Sequence, residues 1–158
     1  MREKLFRGKR KDTGEWVYGD LFQNYDGRVF VGELVVSDYT GPCDDTYELG
    51  IGFREVYPNS VTQFTNLIDR NDSKLFEGDI IKVYKYKDYK TARCIGIVLD
   101  NSSFLEDGYG RCMPQDTVTV ELIGNVFDNQ DLITDRSKRW IENYWDWPKG
   151  VYDIKWAY

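Results

Sequence analysis

A chain of 158 residues with 41% hydrophobic and 16% aromatic content is long enough to bury a core without disulfide or metal staples, and too apolar to be a disordered chain. Its 27 acidic and 21 basic residues leave a net charge of −6, which excludes a surface that is basic throughout and leaves polyanion contact only to a local basic face. The absence of histidine removes the commonest general base and metal ligand, and with them Ser-His-Asp and Cys-His catalysis.

In chain order, Arg2, Lys4, Arg7, Lys9, Arg10 and Lys11 open the sequence as a basic cluster, read as a solvated arm. No apolar core of signal-peptide length follows them, and no apolar run approaches the roughly 20 residues that span a bilayer. Glu15 to Leu21 follows a Thr13-Gly14 turn and reads as a strand. Arg28 to Val36 follows the Tyr25-Asp26-Gly27 turn, and Asp-Gly before alternating apolar residues predicts a β-hairpin over residues 16–36. Ser37 to Gly52 is loop-like, and Phe53 to Tyr57 is a short alternation ended by Pro58 and Asn59, which places a boundary between a unit 1–60 and a unit 61–134.

The second unit reads as short strands: Thr62 to Leu67, Leu75-Phe76 running into Ile80 to Tyr86, Thr91 to Asp100, Val118 to Leu122, and Asn125-Val126-Phe127. Such spacing predicts a small barrel or sandwich. Asp128 to Leu132 suits one short helical turn. The extension 135–158 carries a helix from Ser137, as N-cap, to Trp145, with Trp140, Ile141, Tyr144 and Trp145 on one face, stopped by Pro148 and Gly150. Val151 to Tyr158 alternates enough for a last strand.

Candidate chemistry is sparse. Cys43, Cys94 and Cys112 lack CxxC spacing, which excludes a four-ligand zinc site and fits a reducing cytoplasm. Glu77 and Asp79, two apart on the predicted strand, would share a face and could bind Mg²⁺ as a metal-dependent hydrolase. The plainer reading is preferred, in which Gly78 turns the chain while the two acids cap loop amides or face solvent. Asp44-Asp45 is an exposed loop pair. There is no GxxxxGK(S/T) or GxGxxG, and no helix is predicted after Gly108-Tyr109-Gly110, so no nucleotide or other cofactor is expected.

Two constellations remain. The stretch Lys82 to Lys90 interleaves Tyr84, Tyr86 and Tyr89 with Lys82, Lys85, Lys87 and Lys90, and Arg93 follows; bases stack on tyrosine while lysine neutralises phosphate. An exposed edge strand whose lysines discourage aggregation accounts for the same pattern, and neither face of the strand is purely basic. The second constellation is Trp140, Tyr144, Trp145, Trp147, Tyr152, Trp156 and Tyr158. These aromatics are too many for the segment to hide by folding on itself, so they pack onto the β units or form an interface, a self-interface being the first version to consider.

Thr65 to Val83, TNLIDRNDSKLFEGDIIKV, resembles the conserved segment of the YopX family of phage and prophage proteins: a threonine-glycine-leucine step, an aspartate-asparagine-glycine turn and an EGDI strand start. Arg7 to Leu21 looks like that family's opening and Val120 to Leu132, with Ile123-Gly124-Asn125, like its closing motif. Asn66 and Asp72 stand where the family has glycine. Both residue types tolerate positive φ, so the same turns are expected. The resemblance implies an SH3-like β-roll in the second unit and supplies no catalytic residues. The sequence therefore reads as mainly β: an N-terminal β-hairpin unit, an SH3-like β-roll or barrel, and a short C-terminal helix. The expected role is a phage- or prophage-encoded, non-enzymatic binding or assembly module in the bacterial cytoplasm. Its partner would be a second copy or a phage or host protein, with nucleic acid as the alternative and no membrane.

Overall fold

The computed structural model describes residues 3–33, 52–85, 88–100, 103–108, 110–112 and 119–144, with Asp88, Tyr89 and Tyr144 described by backbone alone. The chain forms two compact units, Lys4–Val61 and Thr62–Tyr158, the second taking in Met1–Glu3. It is mainly β, as the strand patterns predict, with one short helix near the C-terminus.

In the first unit, β1 (Phe6–Lys9), β2 (Trp16–Gln23), β3 (Val29–Gly32) and β4 (Phe53–Val56) lie antiparallel in the order β4-β3-β2-β1. The predicted hairpin is present over its described residues: Phe22 faces Phe30 and Gln23 faces Val29 across β2 and β3. Its turn is closed by Asn24, whose Oδ1 accepts the amides of Asp26 (3.1 Å) and Arg28 (2.9 Å), a side-chain copy of a backbone turn. The long β2 pairs β1 through residues 16–19 and β3 through residues 20–23. The changeover falls at Gly19, where φ is +147° and a Cβ would overlap the carbonyl of Gly32. The chain returns to β1 after β4, where Tyr57 N–H donates to Lys9 O (2.9 Å) and Lys11 N–H to Glu55 O (3.0 Å). Val31 and Val56, both fully buried, fill the interior.

One expectation is corrected here. Arg7 and Lys9 are not part of a solvated arm; they sit on β1 and are 5% and 6% exposed. The Arg7 guanidinium carbon lies 4.7 Å and the Lys9 ammonium 5.7 Å from the centroid of the Trp16 ring, so their stems pack while their charges meet a π-face.

In the second unit, β5 (Thr62–Ile68) and β6 (Lys74–Phe76) form a hairpin. A five-stranded antiparallel sheet follows, in the order β10-β9-β8-β7-β11, from β7 (Asp79–Lys85), β8 (Asp88–Asp100), β9 (Ser103–Glu106), β10 (Gly110–Cys112) and β11 (Val120–Asn125). This sheet is open, with β10 and β11 at its edges, and is not a closed barrel. Leu75, Ile81, Val83, Val98, Phe104 and Val120 make its core, with Leu67, Cys94 and Leu122 packed against them. The period-2 spacing of Ile81 and Val83 on β7 puts both on that face; burying side chains of this size stabilises by about 1.5–3 kcal/mol each.

Three local expectations change. Leu75 to Val83 is two strands, because Gly78 (φ +81°) turns the chain while its N–H donates to Val98 O (2.7 Å). Asn125-Val126-Phe127 is a turn: the Asn125 side chain accepts the amides of Phe127 and Asp128, both at 3.0 Å, and ends β11. The helix α1 (Asp135–Tyr144) begins before Ser137. Thr134 is its cap, with its hydroxyl 3.2 Å from the Ser137 amide, so Ser137 falls in the first turn. The β1, β9 and β10 strands were not legible in the sequence at all.

Candidate interaction surfaces

The β7 and β8 strands form a ribbon that outruns its neighbours. Among the described residues the ladder of β11 covers Asp79–Val83 of β7, with Thr119 O accepting the Tyr84 amide just beyond it, and that of β9 covers Gly96–Asp100 of β8, with Ile95 O accepting the Asp107 amide. Beyond them Tyr84 pairs with Ala92 and Lys85 with Asp88, with register shifts on both sides of Tyr84. Lys85 is exposed, as are the consecutive Lys90, Thr91, Ala92 and Arg93, so both faces of the ribbon meet solvent there.

The predicted nucleic-acid residues are not equivalent on this ribbon. Lys82 is half-buried and pairs across the ladder with Glu121. The Tyr84 hydroxyl donates to Glu121 Oε2, and the Arg70 guanidinium covers its ring at 4.7 Å; the bond to Glu121 raises the Tyr84 hydroxyl above its ordinary pKa. Arg93, the extra residue between the Val83–Cys94 and Tyr84–Ala92 pairs, is exposed at this bulge. Its guanidinium bonds the buried Glu106 carboxylate at 2.8 Å. Lys85 and Lys90 stand at the exposed end. Tyr86, Lys87 and the side chain of Tyr89 lie outside the described residues.

Beside Arg93, the Cys94 thiol lies 3.6 Å from Glu106 Oε2. Burial, reinforced by the Glu106 charge, pushes it up to about 12. A thiol held protonated is a poor nucleophile, and no disulfide engages Cys94 or Cys112. Cys94 is therefore expected to react with iodoacetamide at pH 8 far more slowly in the native chain than in denaturant. Equal rates measured by mass spectrometry would show that this pocket is open.

Glu77 and Asp79 do not share a strand face. Asp79 is buried, and its Oδ2 accepts the Phe76 amide at 2.8 Å; Glu77 lies in the turn, with Oε2 3.5 Å from the Gln63 amide. Both contacts are amide capping. Among the described residues no group of three or more Cys, Asp or Glu could hold a metal ion, and no helix is long and apolar enough to cross a membrane.

Of the C-terminal aromatics, Trp140 is half-buried on α1 beside the buried Ile141. The side chain of Tyr144, and all of Trp145, Trp147, Tyr152, Trp156 and Tyr158, lie outside the described residues. The helix is tied to the second unit at its start: the Thr134 hydroxyl donates to Asp107 Oδ1 at 2.8 Å, and Ser137 Oγ is 3.3 Å from the same atom.

A surface that sequence reasoning missed lies on the N-terminal sheet. Phe22, Phe30 and Phe53 stand on adjacent strands and one face, with ring centroids 6.1 Å (Phe22 to Phe30) and 6.4 Å (Phe22 to Phe53) apart. Phe22 is nonetheless 54% exposed, and Tyr18, Leu21, whose ladder partner is Val31, and the turn residue Tyr25 are exposed elsewhere on β2 and its turn. Charged groups rim the cluster. Arg28 lies 5.4 Å over the Phe30 ring and bonds Glu55 at 2.5 Å, and Lys11 bonds the other Glu55 oxygen at 2.8 Å. The Arg28 and Lys11 bonds hold Glu55 well below its ordinary value, at about 2, so the rim carries both charge signs at every physiological pH. The available signal was Leu21-Phe22, adjacent large apolar residues that a two-faced strand cannot both bury.

Compared with known proteins, the chain matches the family described as YopX protein over residues 5–134. It belongs to the YopX family. No curated protein and no solved structure matches it. The YopX motifs have structural causes here. In the EGDI segment, Gly78 makes the turn and Asp79 caps it. Asn66 and Asp72, in place of the family's glycines, both adopt φ 64°, so the turns survive the replacement. In the closing YopX motif, a Cβ on Gly124 would lie 2.5 Å from Asn129 Oδ1, the atom that accepts the Asn125 amide at 3.1 Å.

Proposed function

We propose that this YopX chain is a phage- or prophage-encoded binding or assembly module, non-enzymatic and working in the bacterial cytoplasm, and that its N-terminal sheet carries the protein-binding face. The exposed Phe22, clustered with Phe30 and Phe53 on one sheet face, supports this reading. Aromatic side chains rimmed by charge are the composition of interface anchors, and they contribute most where a partner desolvates them. A second copy of the chain is the first occupant to test, since symmetric self-association is the commonest assembly. Trp140, Tyr144, Trp145, Trp147, Tyr152 and Trp156 are proposed as a further part of such an interface.

Light scattering coupled to size exclusion tests this on the full chain. An oligomer is expected, and Phe22→Asp, which places a charge at the cluster's centre without touching the buried Val31 or Val56, is expected to dissociate it into folded monomers. An unchanged oligomer in Phe22→Asp would remove the sheet face from the assembly. A monomeric parent chain would remove self-association.

A second reading, nucleic-acid binding through Lys82, Tyr84, Lys85, Tyr86, Lys87, Tyr89, Lys90 and Arg93, is supported by the exposure of the ribbon end around Lys85 and Lys90. It predicts association that weakens steeply as salt rises.

A further inference from the structure

The sheet face that carries Phe22 has its charges set at opposite ends. Across β2, β3 and β4 the register lays out successive rows: Asp20, Gly32 and Phe53; then Phe22, Phe30 and Glu55; then Asn24 and Arg28. Period-2 alternation puts Asp20 on the face of Phe22, and Arg28, lying over the Phe30 ring, is on it as well. The aromatic row is thus bounded by an anion on β2 at one end and a cation on β3 at the other. Asp20 is exposed and has no cation partner among the described residues. Arg28 donates Nε–H and Nη2–H to Glu55 at 3.1 and 2.5 Å, which leaves Nη1 for a second carboxylate.

A two-fold axis makes residue i of one copy meet residue j of the other, and j meet i. With the axis running across the strands along the row of Phe22 and Phe30, the outer rows exchange. Phe22 then meets its own image, and Asp20 of one copy comes level with Arg28 of the other, one strand to the side. An axis along the strands, between β2 and β3, would instead set Asp20 against Gly32 and Arg28 against Asn24, with no charge pair. Glu55 lies in the row of the first axis, where the cations Lys11 and Arg28 that bond it offset repulsion from its own image.

We propose that a second copy of this chain docks on the Phe22 face about the axis across the strands, with Asp20 of each copy paired to Arg28 of the other. The inference rests on the reading of the sheet face given above and adds the orientation of the two copies and the charge pairs that select it. Burial of the phenylalanines supplies the contact. The charge pairs set the register of one copy on the other and exclude orientations that bring like charges together.

The test is light scattering of the full chain carrying Asp20→Lys or Arg28→Glu, each alone and the two mixed, with native mass spectrometry of one isotope-labelled variant to count mixed dimers. Each substitution acts at both symmetry-related contacts, so each alone is expected to weaken self-association at least about tenfold. The mixture is expected to recover it as mixed dimers, in which both contacts pair opposite charges. Arg28→Glu sets a second carboxylate beside Glu55, so thermal melts establish that it is folded. Asp20→Lys, at an exposed position, also carries the test by itself: its deficit against Asp20→Asn should shrink as salt rises. A parent dimer that Phe22→Asp dissolves and Asp20→Lys leaves intact would overturn the axis while leaving the sheet face in place. Weakening with no recovery on mixing, or a deficit constant in salt, would do the same. A monomeric parent chain, or a dimer indifferent to Phe22→Asp, would remove self-association through this face and the inference with it.

Discussion

Replacing Gly19 by alanine is expected to unfold the N-terminal sheet while leaving the five-stranded sheet folded. At φ +147° the backbone is in a region open essentially to glycine alone, at a cost of about 1–3 kcal/mol for any other residue. The added Cβ would also overlap the backbone carbonyl of Gly32, which cannot rotate aside as a side chain could. Relief requires β2 and β3 to separate where β2 exchanges its β1 ladder for its β3 ladder, exposing Val31 and Val56. The combined loss is at least about 4 kcal/mol, in the range that unfolds a small unit. Amide hydrogen exchange would show loss of protection in residues 6–9, 16–23 and 29–32 with protection retained at Ile81, Val83 and Val98. Native-like protection on both sides of Gly19 would show that the sheet absorbs the clash.

The second large effect is expected at Asp69. Its carboxylate is nearly buried and accepts three amides: Asn71 and Ser73, each at 2.8 Å to Oδ1, and Leu122 at 2.9 Å to Oδ2. The first two close the turn between β5 and β6; the third joins that turn to β11, reinforced by Arg70 N–H donating to Val120 O at 3.0 Å. Asp69→Ala orphans all three donors. At about 1–3 kcal/mol for each donor left without a partner, and with the turn amides partly rescued by water, the cost is about 3–5 kcal/mol. By contrast, the exposed pair of Lys74 with Glu3 is expected to contribute at most about 1 kcal/mol. Asp69→Asn keeps Oδ1 for the turn but presents an N–H₂ group to the Leu122 amide, for a loss of about 1–3 kcal/mol.

Asp69 also dictates a pH dependence. Burial pushes its carboxyl up, but the amides of Leu122, Ser73 and Asn71 together outweigh burial and hold it below its ordinary 3.8. The folded chain thus releases this proton more readily than the unfolded chain does. The contribution of Asp69 is complete above that ordinary value and is lost as pH falls through the lower folded one. Urea unfolding at neutral pH and down through pH 4 to 2 should show a stability difference between the parent chain and Asp69→Asn that narrows with acidity. A difference constant across that range would assign the effect to packing rather than charge.

Local chemistry was the legible part of this protein. Asp26-Gly27 before Arg28-Val29-Phe30-Val31 announced the first hairpin, and Asn66 and Asp72, turn-tolerant residues where the resembled family has glycine, announced positive φ. The EGDI and Ile123-Gly124-Asn125 segments announced the family, because they encode turns whose donors and acceptors lie within a few residues. Where a side chain was used over a longer span, the same reading fell short. Arg7 and Lys9 looked like a solvated arm because charge is a surface signal unless an aromatic face such as Trp16 receives it from another strand. For Glu77 and Asp79 the preferred reading, in which Gly78 turns the chain and both acids cap amides, matches the contacts found, whereas the same-face alternative continued a period-2 count across a glycine whose contact to Val98 breaks it. The β9 and β10 strands are short, β9 pairing with β8 and β10 with β9, and neither carries an apolar alternation long enough to mark a strand by itself.

For the surfaces the division is the same. Composition removed histidine chemistry, strand patterns predicted a mainly β chain, the resemblance of its motifs pointed to the family, and the order of residues placed its lysines and tyrosines together between residues 82 and 93. Only the tertiary structure decided which of them face outward. Tyr84 is tied to Glu121 and Arg93 to Glu106 by partners 37 and 13 residues away in the chain (121 − 84 and 106 − 93), while Phe22, a core residue by type, is left in solvent. Burial and pairing are set by what lies across the sheet, and the sequence neighbourhood of a residue does not contain that information.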